Sequence, residues 1–334
     1  MNEFKSRKFN SLYIKDDKII KYSREDKVRL EYEWYRFMDK QSKQRDFERF
    51  FLPPIYRNWK DKHGYYYEMG LIQGDILANR IFGNISGCQE IVDINWKIHN
   101  IIEEIFNIPC RLLDNNAAET MLIEEYIYKT ERRVSQYSRY NELKNKNIIV
   151  DGKKLGTFLD IWEMAKSKVT KICRNINGNI GIIHGDMNYS NIIIEKSGKI
   201  VLIDPKGKFG FRDGCLGDRR YDVAKMRQSY HSYYFQFLEK KEMVENRNNK
   251  LWFKLHDNLE KKIIRCLDKQ IEARGYCLLE VQIIESLQLL SMIPLHADNK
   301  DLQIAMYFLG IMLLYYGLNG EIYYFENEYL ILLE

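Results

Sequence analysis

The stretch Ile182-Ile183-His184-Gly185-Asp186-Met187-Asn188-Tyr189-Ser190-Asn191-Ile192-Ile193-Ile194, followed by Ile200-Val201-Leu202-Ile203-Asp204, restricts the fold of this chain more than any other. Two β-branched apolar runs flank the turn signal Lys196-Ser197-Gly198-Lys199, which predicts a hairpin with polar side chains displayed at its mouth. Asp186 and Asn191 stand at the interval that a phosphoryl-transfer loop uses between the carboxylate that takes a hydroxyl proton and the amide that holds a metal. Asp204 ends the next strand, where a second metal ligand belongs. Each piece alone is bland, since His-Gly-Asp is a common surface turn and Asn-Ile-Ile-Ile a strand entry. Their joint occurrence at this spacing points to ATP chemistry.

The same residues carry a resemblance. His184-Gly185-Asp186 with Asn191, then Ile203-Asp204, resembles the aminoglycoside phosphotransferase and choline kinase branch of the protein-kinase-like superfamily, in which Gly commonly replaces the Arg of the protein kinases' His-Arg-Asp. The likeness is strongest from about Gly181 to Lys225. Three further stretches look like members found among bacterial capsule and surface-polysaccharide proteins: Tyr128-Lys129-Thr130 with Arg132-Arg133, Gly217-Asp218 before Tyr221-Asp222-Val223-Ala224-Lys225, and Pro294-Leu295-His296-Ala297-Asp298-Asn299. The resemblance implies an α+β, two-lobed protein-kinase-like fold with a small antiparallel-sheet N-lobe, residues 1–74, and a larger, mainly helical C-lobe, residues 75–334. It implies ATP and Mg2+ as cofactors and a small hydroxylated metabolite, a sugar or sugar derivative, as acceptor.

Within that frame Asp186 is the catalytic base, and Asn191 and Asp204 hold magnesium. Near the start, Ser11-Leu12-Tyr13-Ile14-Lys15 and Lys18-Ile19-Ile20-Lys21-Tyr22 flank an Asp-Asp turn and predict a second hairpin. Lys21 follows Ile19-Ile20 as the lysine contacting the nucleotide phosphates follows its apolar strand in kinases, with Lys15 and Lys18 as rivals. No Gly-rich loop precedes it, so the phosphates would be covered by Arg7-Lys8-Phe9-Asn10-Ser11, with the Ser11 hydroxyl taking part. Arg24 to Lys40 reads as a helix with Ser23 as N-cap and Val28, Tyr32, Tyr35 and Met38 at helical spacing. Its Glu31 is placed to pair with the phosphate lysine, with Glu33 as the alternative. Gly64 to Gly74 reads as a strand leading into a Gly-punctuated crossing that resembles the hinge between lobes, where backbone groups from Met69 to Leu71 would meet adenine.

Farther on, Asp75 to Ile108 and Ala117 to Gln136 read as mainly helical, with Ile94, Ile98, Ile101, Ile105 and Ile108 forming a core stripe. Lys144 to Gly156 reads as a polar connector, Phe158 to Ile176 as an amphipathic helix, and Trp252 to Leu318 as helices interrupted by Gly275 and Pro294. His184 alternates with Asp186 along an apolar entry strand, which favours a buried, loop-orienting role over that of a base. Asp222 either caps the following helix or braces the catalytic loop. After Asp204 comes a glycine-rich, basic stretch with Lys206, Lys208, Arg212, Arg219 and Arg220. Arg212 and Arg220 suit a neutral or negatively charged acceptor such as a sugar acid or sugar phosphate, and disfavour a polycation; the alternative is that these charges face solvent or merely help neutralise ATP.

Composition sets the outer bounds. With 334 residues, 45% of them apolar and 30% charged, the chain can bury a large core. A net charge of +5 spread along the chain predicts no nucleic-acid partner. The six cysteines are scattered without a Cys-x-x-Cys pair, which argues for reduced thiols over a zinc site or disulfide framework. The first residues lack a signal-peptide core and the apolar run Phe308 to Leu318 is short, so the reading is cytoplasmic without stable membrane insertion, the oligomeric state being left open. Two competing classes remain: a catalytically inactive kinase-like nucleotide- or partner-binding module, and a protein kinase, which the absence of a Gly-rich loop and of an Ala-Pro-Glu segment disfavours.

Overall fold

The computed structural model describes residues 2–4, 11–44, 47, 50–83, 86–239, 244–247, 250–255 and 259–334. The chain packs as two compact units, Met1–Leu112 with Gly181–Asp222, and Leu113–Ile180 with Val223–Glu334.

The first unit contains a five-stranded antiparallel sheet in the order Asn2–Phe4, Ser11–Lys15, Lys18–Ser23, Tyr65–Gly70, Ile55–Lys60. The expected hairpin forms, with Lys15 opposite Lys18. Asp16 and Asp17 make its turn with φ of 50° and 56°, the doubly left-handed geometry that matches strand twist and that Asp tolerates. Ser23 is the last residue of its strand and its hydroxyl accepts the Glu25 N–H at 3.1 Å, so it closes a turn and does not cap the helix. The helix therefore starts later than the sequence suggested, at Lys27, and runs to Ser42. Val28, Glu31, Trp34, Tyr35 and Met38 line its buried face. Burial of this kind contributes about 1.5–3 kcal/mol per large apolar side chain.

The second predicted hairpin is also present. Ile192–Glu195 pairs with Ile200–Leu202 on one side and with Gly74–Ile76 on the other. Phe51 extends this ladder, its N–H donating to the Ile200 carbonyl at 2.8 Å and its carbonyl accepting from Leu202. In the helix Cys88–Phe106 the predicted stripe Ile94, Ile98, Ile101 and Ile105 is buried, joined by Ile91 and Ile102, and Ile108 just beyond the helix is buried too.

The second unit is mainly helical. It contains Asn115–Ile123, a π-helical turn Glu124–Tyr128, Lys129–Ser135, Phe158–Arg174, Lys261–Ala273, Leu278–Met292 and Lys300–Leu318. Thr157 and Asp160 form a reciprocal capping box at the start of Phe158–Arg174. Two expectations need correction. The connector from Lys144 to Gly156 holds strands Ile148–Val150 and Lys153–Gly156, and Trp252 lies in the strand Lys250–Lys254. Together with Val244–Arg247 and the final strand Glu328–Leu333 they form a five-stranded sheet. Leu278–His296 and Lys300–Leu318 are each long and apolar enough to cross a membrane, but 72% and 78% of these spans are buried inside the protein, as in core helices.

Candidate active site

The loop after Ile180–Ile182 is held from several directions within the first unit. Asp222 is 1% exposed, and its two carboxylate oxygens accept the backbone N–H groups of His184 and Gly185, each at 2.8 Å. Asp222 thus braces the loop and does not cap its helix. Burial pushes its carboxyl up to about 7, against the pull of those two N–H bonds. Trp34 donates its indole N–H to the Ile183 carbonyl at 2.8 Å and packs edge-on against His184 at 5.4 Å. Tyr189 donates to the buried Asn95 at 2.8 Å, fixing the middle of the loop. His184 is 1% exposed, and its Nδ1 accepts the Asp186 N–H at 3.3 Å. Burial pushes the imidazole down to about 4, so it is neutral at neutral pH and has no surface to offer a substrate.

This bracing leaves Asp186 half-buried and oriented. The Asn191 amide donates to the Asp186 carboxylate and to the Asp186 carbonyl, each at 2.9 Å. With its amide nitrogen turned to Asp186, Asn191 presents its acceptor oxygen, approached by the Ser190 hydroxyl at 3.5 Å, as the group a metal requires.

The sheet and helix deliver the other half of the site. Lys21, 1% exposed, stands 2.6 Å from Glu31 and 2.9 Å from Asp204. Glu31 also accepts the Tyr67 hydroxyl at 3.1 Å, with Lys27 at 3.8 Å. Glu33 is exposed and tied to Arg29, so among the helix glutamates it is Glu31 that meets the lysine. Lys18 pairs instead with Glu68. Asp204 has φ of 56°, a left-handed conformation uncommon for a side-chain-bearing residue, and its N–H donates to the Tyr35 hydroxyl at 3.0 Å. Burial disfavours charge on Lys21 and Glu31, whereas the Asp204 side chain is partly exposed. Two carboxylates nevertheless hold Lys21 protonated, and Lys21 in turn brings Asp204 below the usual carboxylate range. Glu31 is displaced upward, burial outweighing Lys21.

Other expected residues fare differently. Ser11 is half-buried at the start of its strand, opposite Tyr22. Residues 7–10 of the expected phosphate-covering segment lie outside the described residues. Met69 sits inside the sheet between Ile19 and Ile55, and the Leu71 N–H donates to the Asp17 carbonyl at 2.9 Å. The Leu71 donor is thus used across the sheet, and the strand-free residues that follow it are Ile72 and Gln73. Arg212 is exposed on a short hairpin with Phe209. Arg220 is 2% exposed, and its guanidinium is spent on Asp218 at 2.8–3.0 Å. It is a strut inside the fold and not an open anion clamp. Trp34 and Tyr35 were missed as site supports, although their spacing of three and four from Glu31 puts them on the same helix face.

Among the described residues no group of three or more His, Cys, Asp or Glu forms a ready-made metal cage. Magnesium commonly takes one or two protein oxygens and completes its shell with phosphate and water, and Asn191 with Asp204 fits that donor set.

Comparison with known proteins locates the fold. Similarity is found to APH(2")-IIia, solved with GDP and kanamycin, with a TM-score of 0.57 at 12% identity over 96% of this chain and 93% of that one. It is also found to a thermostable mutant of the aminoglycoside phosphotransferase APH(4)-Ia in its apo form, with TM-score 0.54, 12% identity and coverage of 94% and 93%. The GDP complex of wild-type aminoglycoside 2'-phosphotransferase-IIIa gives 0.51 at 11% identity, covering 95% and 92%. By sequence, no family model and no curated protein matches the chain. At these identities the likeness is one of fold: mixed α+β, with an antiparallel-sheet N-terminal region and a helical C-terminal part, as in the aminoglycoside phosphotransferases.

Proposed function

We propose that the protein is an ATP- and magnesium-dependent phosphotransferase that acts on a hydroxyl group of a small metabolite. The observation that carries this reading is the joining of two distant parts of the chain at one place, Lys21 bridging Glu31 to Asp204 while Asn191 clamps Asp186. Residues 1–74 serve as the nucleotide lobe and residues 75–334 carry the loop and the acceptor site. Lys21 steadies the α- and β-phosphates and Glu31 holds Lys21 in place. Ile72 and Gln73 supply the backbone contacts to adenine. Asn191 and Asp204 hold magnesium, which neutralises phosphate charge when bound. Asp186 orients the acceptor hydroxyl and takes its proton as the new oxygen–phosphorus bond forms and the bond to the departing ADP breaks. His184, Asp222 and Trp34 keep the loop in register and touch no substrate.

For the acceptor we propose a sugar or sugar derivative, neutral or bearing a carboxylate or phosphate, with a place in surface-polysaccharide synthesis. Arg212 supports this reading as an exposed cation following the metal aspartate; Arg220, being buried, is withdrawn from it. A panel of sugars, sugar acids, sugar phosphates and one aminoglycoside, read by ADP release, tests the proposal with Asp186→Asn as control. The expected result is release with an uncharged or anionic acceptor, lowered by about 10²–10⁴ in the variant. Equal release from Asp186→Asn, or efficient use of the aminoglycoside alone, contradicts it.

A further inference from the structure

The loop between Asp186 and Asn191 contains no cation, since Met187, Asn188, Tyr189 and Ser190 are uncharged. Lys21 is buried and committed to Glu31 and Asp204. A phosphoryl group in transfer spreads negative charge over three oxygens, and a site made for it benefits from a fixed positive group beside the acceptor.

Lys206 has the right placement. Its backbone N–H donates to the His184 carbonyl at 2.9 Å, so the chain after Asp204 runs beside the residues that lead into Asp186. Gly185 has φ of 80°, and a Cβ added there would come within 2.7 Å of the Lys206 Cβ. The lysine stem therefore occupies the room that a side chain at 185 would take, and glycine at this position is what lets it pass. The Lys206 ammonium stands 4.7 Å from the centroid of the Tyr221 ring and 5.0 Å from that of Phe209. These two rings are buried and meet edge-on at 5.2 Å, forming a rigid brace under the charge. Lys206 itself is only half-buried.

We propose that Lys206 is the γ-phosphate ligand of this site: its ammonium, braced on Tyr221 and Phe209 and threaded over Gly185, meets the transferring phosphoryl group on the Asp186 side of the loop. The inference rests on the phosphotransferase reading above. The acceptor proton goes to Asp186, and the lysine supplies charge and direction only.

The test needs no acceptor. The full chain, as wild type, Lys206→Met and Lys206→Arg, is titrated with magnesium and either ADP or the non-hydrolysable imido analogue of ATP. The wild type should bind the analogue more tightly than ADP. Lys206→Met should lose about tenfold in affinity for the analogue, the worth of one charge-assisted hydrogen bond, while its affinity for ADP stays put. Lys206→Arg should keep most of the difference. If Lys206→Met retains the full preference for the analogue, or loses both nucleotides equally as a mere structural prop would, the assignment is wrong. Failure of the wild type to bind either nucleotide overturns the phosphotransferase reading itself, and this inference with it.

Discussion

Replacing Lys21 by methionine removes the charge that bridges Glu31 and Asp204. Glu31 has 0% exposure and loses a cation at 2.6 Å, keeping the Tyr67 hydroxyl at 3.1 Å and Lys27 at 3.8 Å. Removing one partner of a buried pair costs about 3–5 kcal/mol, because the other charge stays behind without compensation. Asp204 adds little, its side chain being 38% exposed and open to water. The penalty depends on pH, since Glu31 escapes it by taking up a proton. Burial already displaces this carboxyl upward, and without Lys21 it rises further. A carboxyl whose folded pKa lies above its unfolded value loses stability as the pH rises. Lys21→Met should therefore unfold at nearly the wild-type urea concentration at pH 5 and be weakened by several kcal/mol at pH 8. Glu31→Gln in the same chain removes the stranded charge and should restore most of the stability at pH 8, though not the binding of nucleotide. Wild-type stability for Lys21→Met at pH 8, or no recovery with Glu31→Gln, refutes the reasoning.

Three further outcomes are expected. Asp186→Asn should leave nucleotide binding nearly intact and lower turnover by orders of magnitude, whereas Asp204→Asn should weaken magnesium-dependent binding as well; equal loss of nucleotide affinity in both would contradict the division of roles. Trp34→Phe strands the buried Ile183 carbonyl and opens a small gap beside His184, costing about 1–4 kcal/mol in urea unfolding. His184, pushed down to about 4 from 6.5, contributes stability above its unfolded pKa that is lost as the pH falls from 6.5 toward 4. His184→Gln should remove that part of the acid sensitivity, seen as a flatter profile of urea midpoint against pH.

Local spacing made the loop and both hairpins legible in the sequence, because a turn flanked by β-branched runs, or two aspartates between alternating strands, fixes its own geometry. Lys21 and Glu31 could be read from the order of strand and helix. The second sheet could not. Ile148-Ile149-Val150 is a three-residue run whose partners, Ile331 to Leu333, arrive at the end of the chain, and so short a strand carries little periodicity of its own. The engagement of the Leu71 donor escaped the sequence for a related reason: it is taken by the Asp17 carbonyl across the sheet, a pairing no local pattern announces. Arg220 was read as open because basic residues near a loop invite an anion, yet Asp218, two residues away, satisfies it in the interior. The resemblance supplied the roles of Asp186, Asn191 and Asp204, and residue spacing supplied their places.

The central claim is that these residues make a magnesium-dependent nucleotide site, and calorimetric titration with a non-hydrolysable ATP analogue tests it most directly. Binding should be evident with magnesium, much weaker with chelator, and impaired in Asp204→Asn under the same conditions. The absence of heat and of any thermal shift across millimolar nucleotide, with magnesium present, would contradict it.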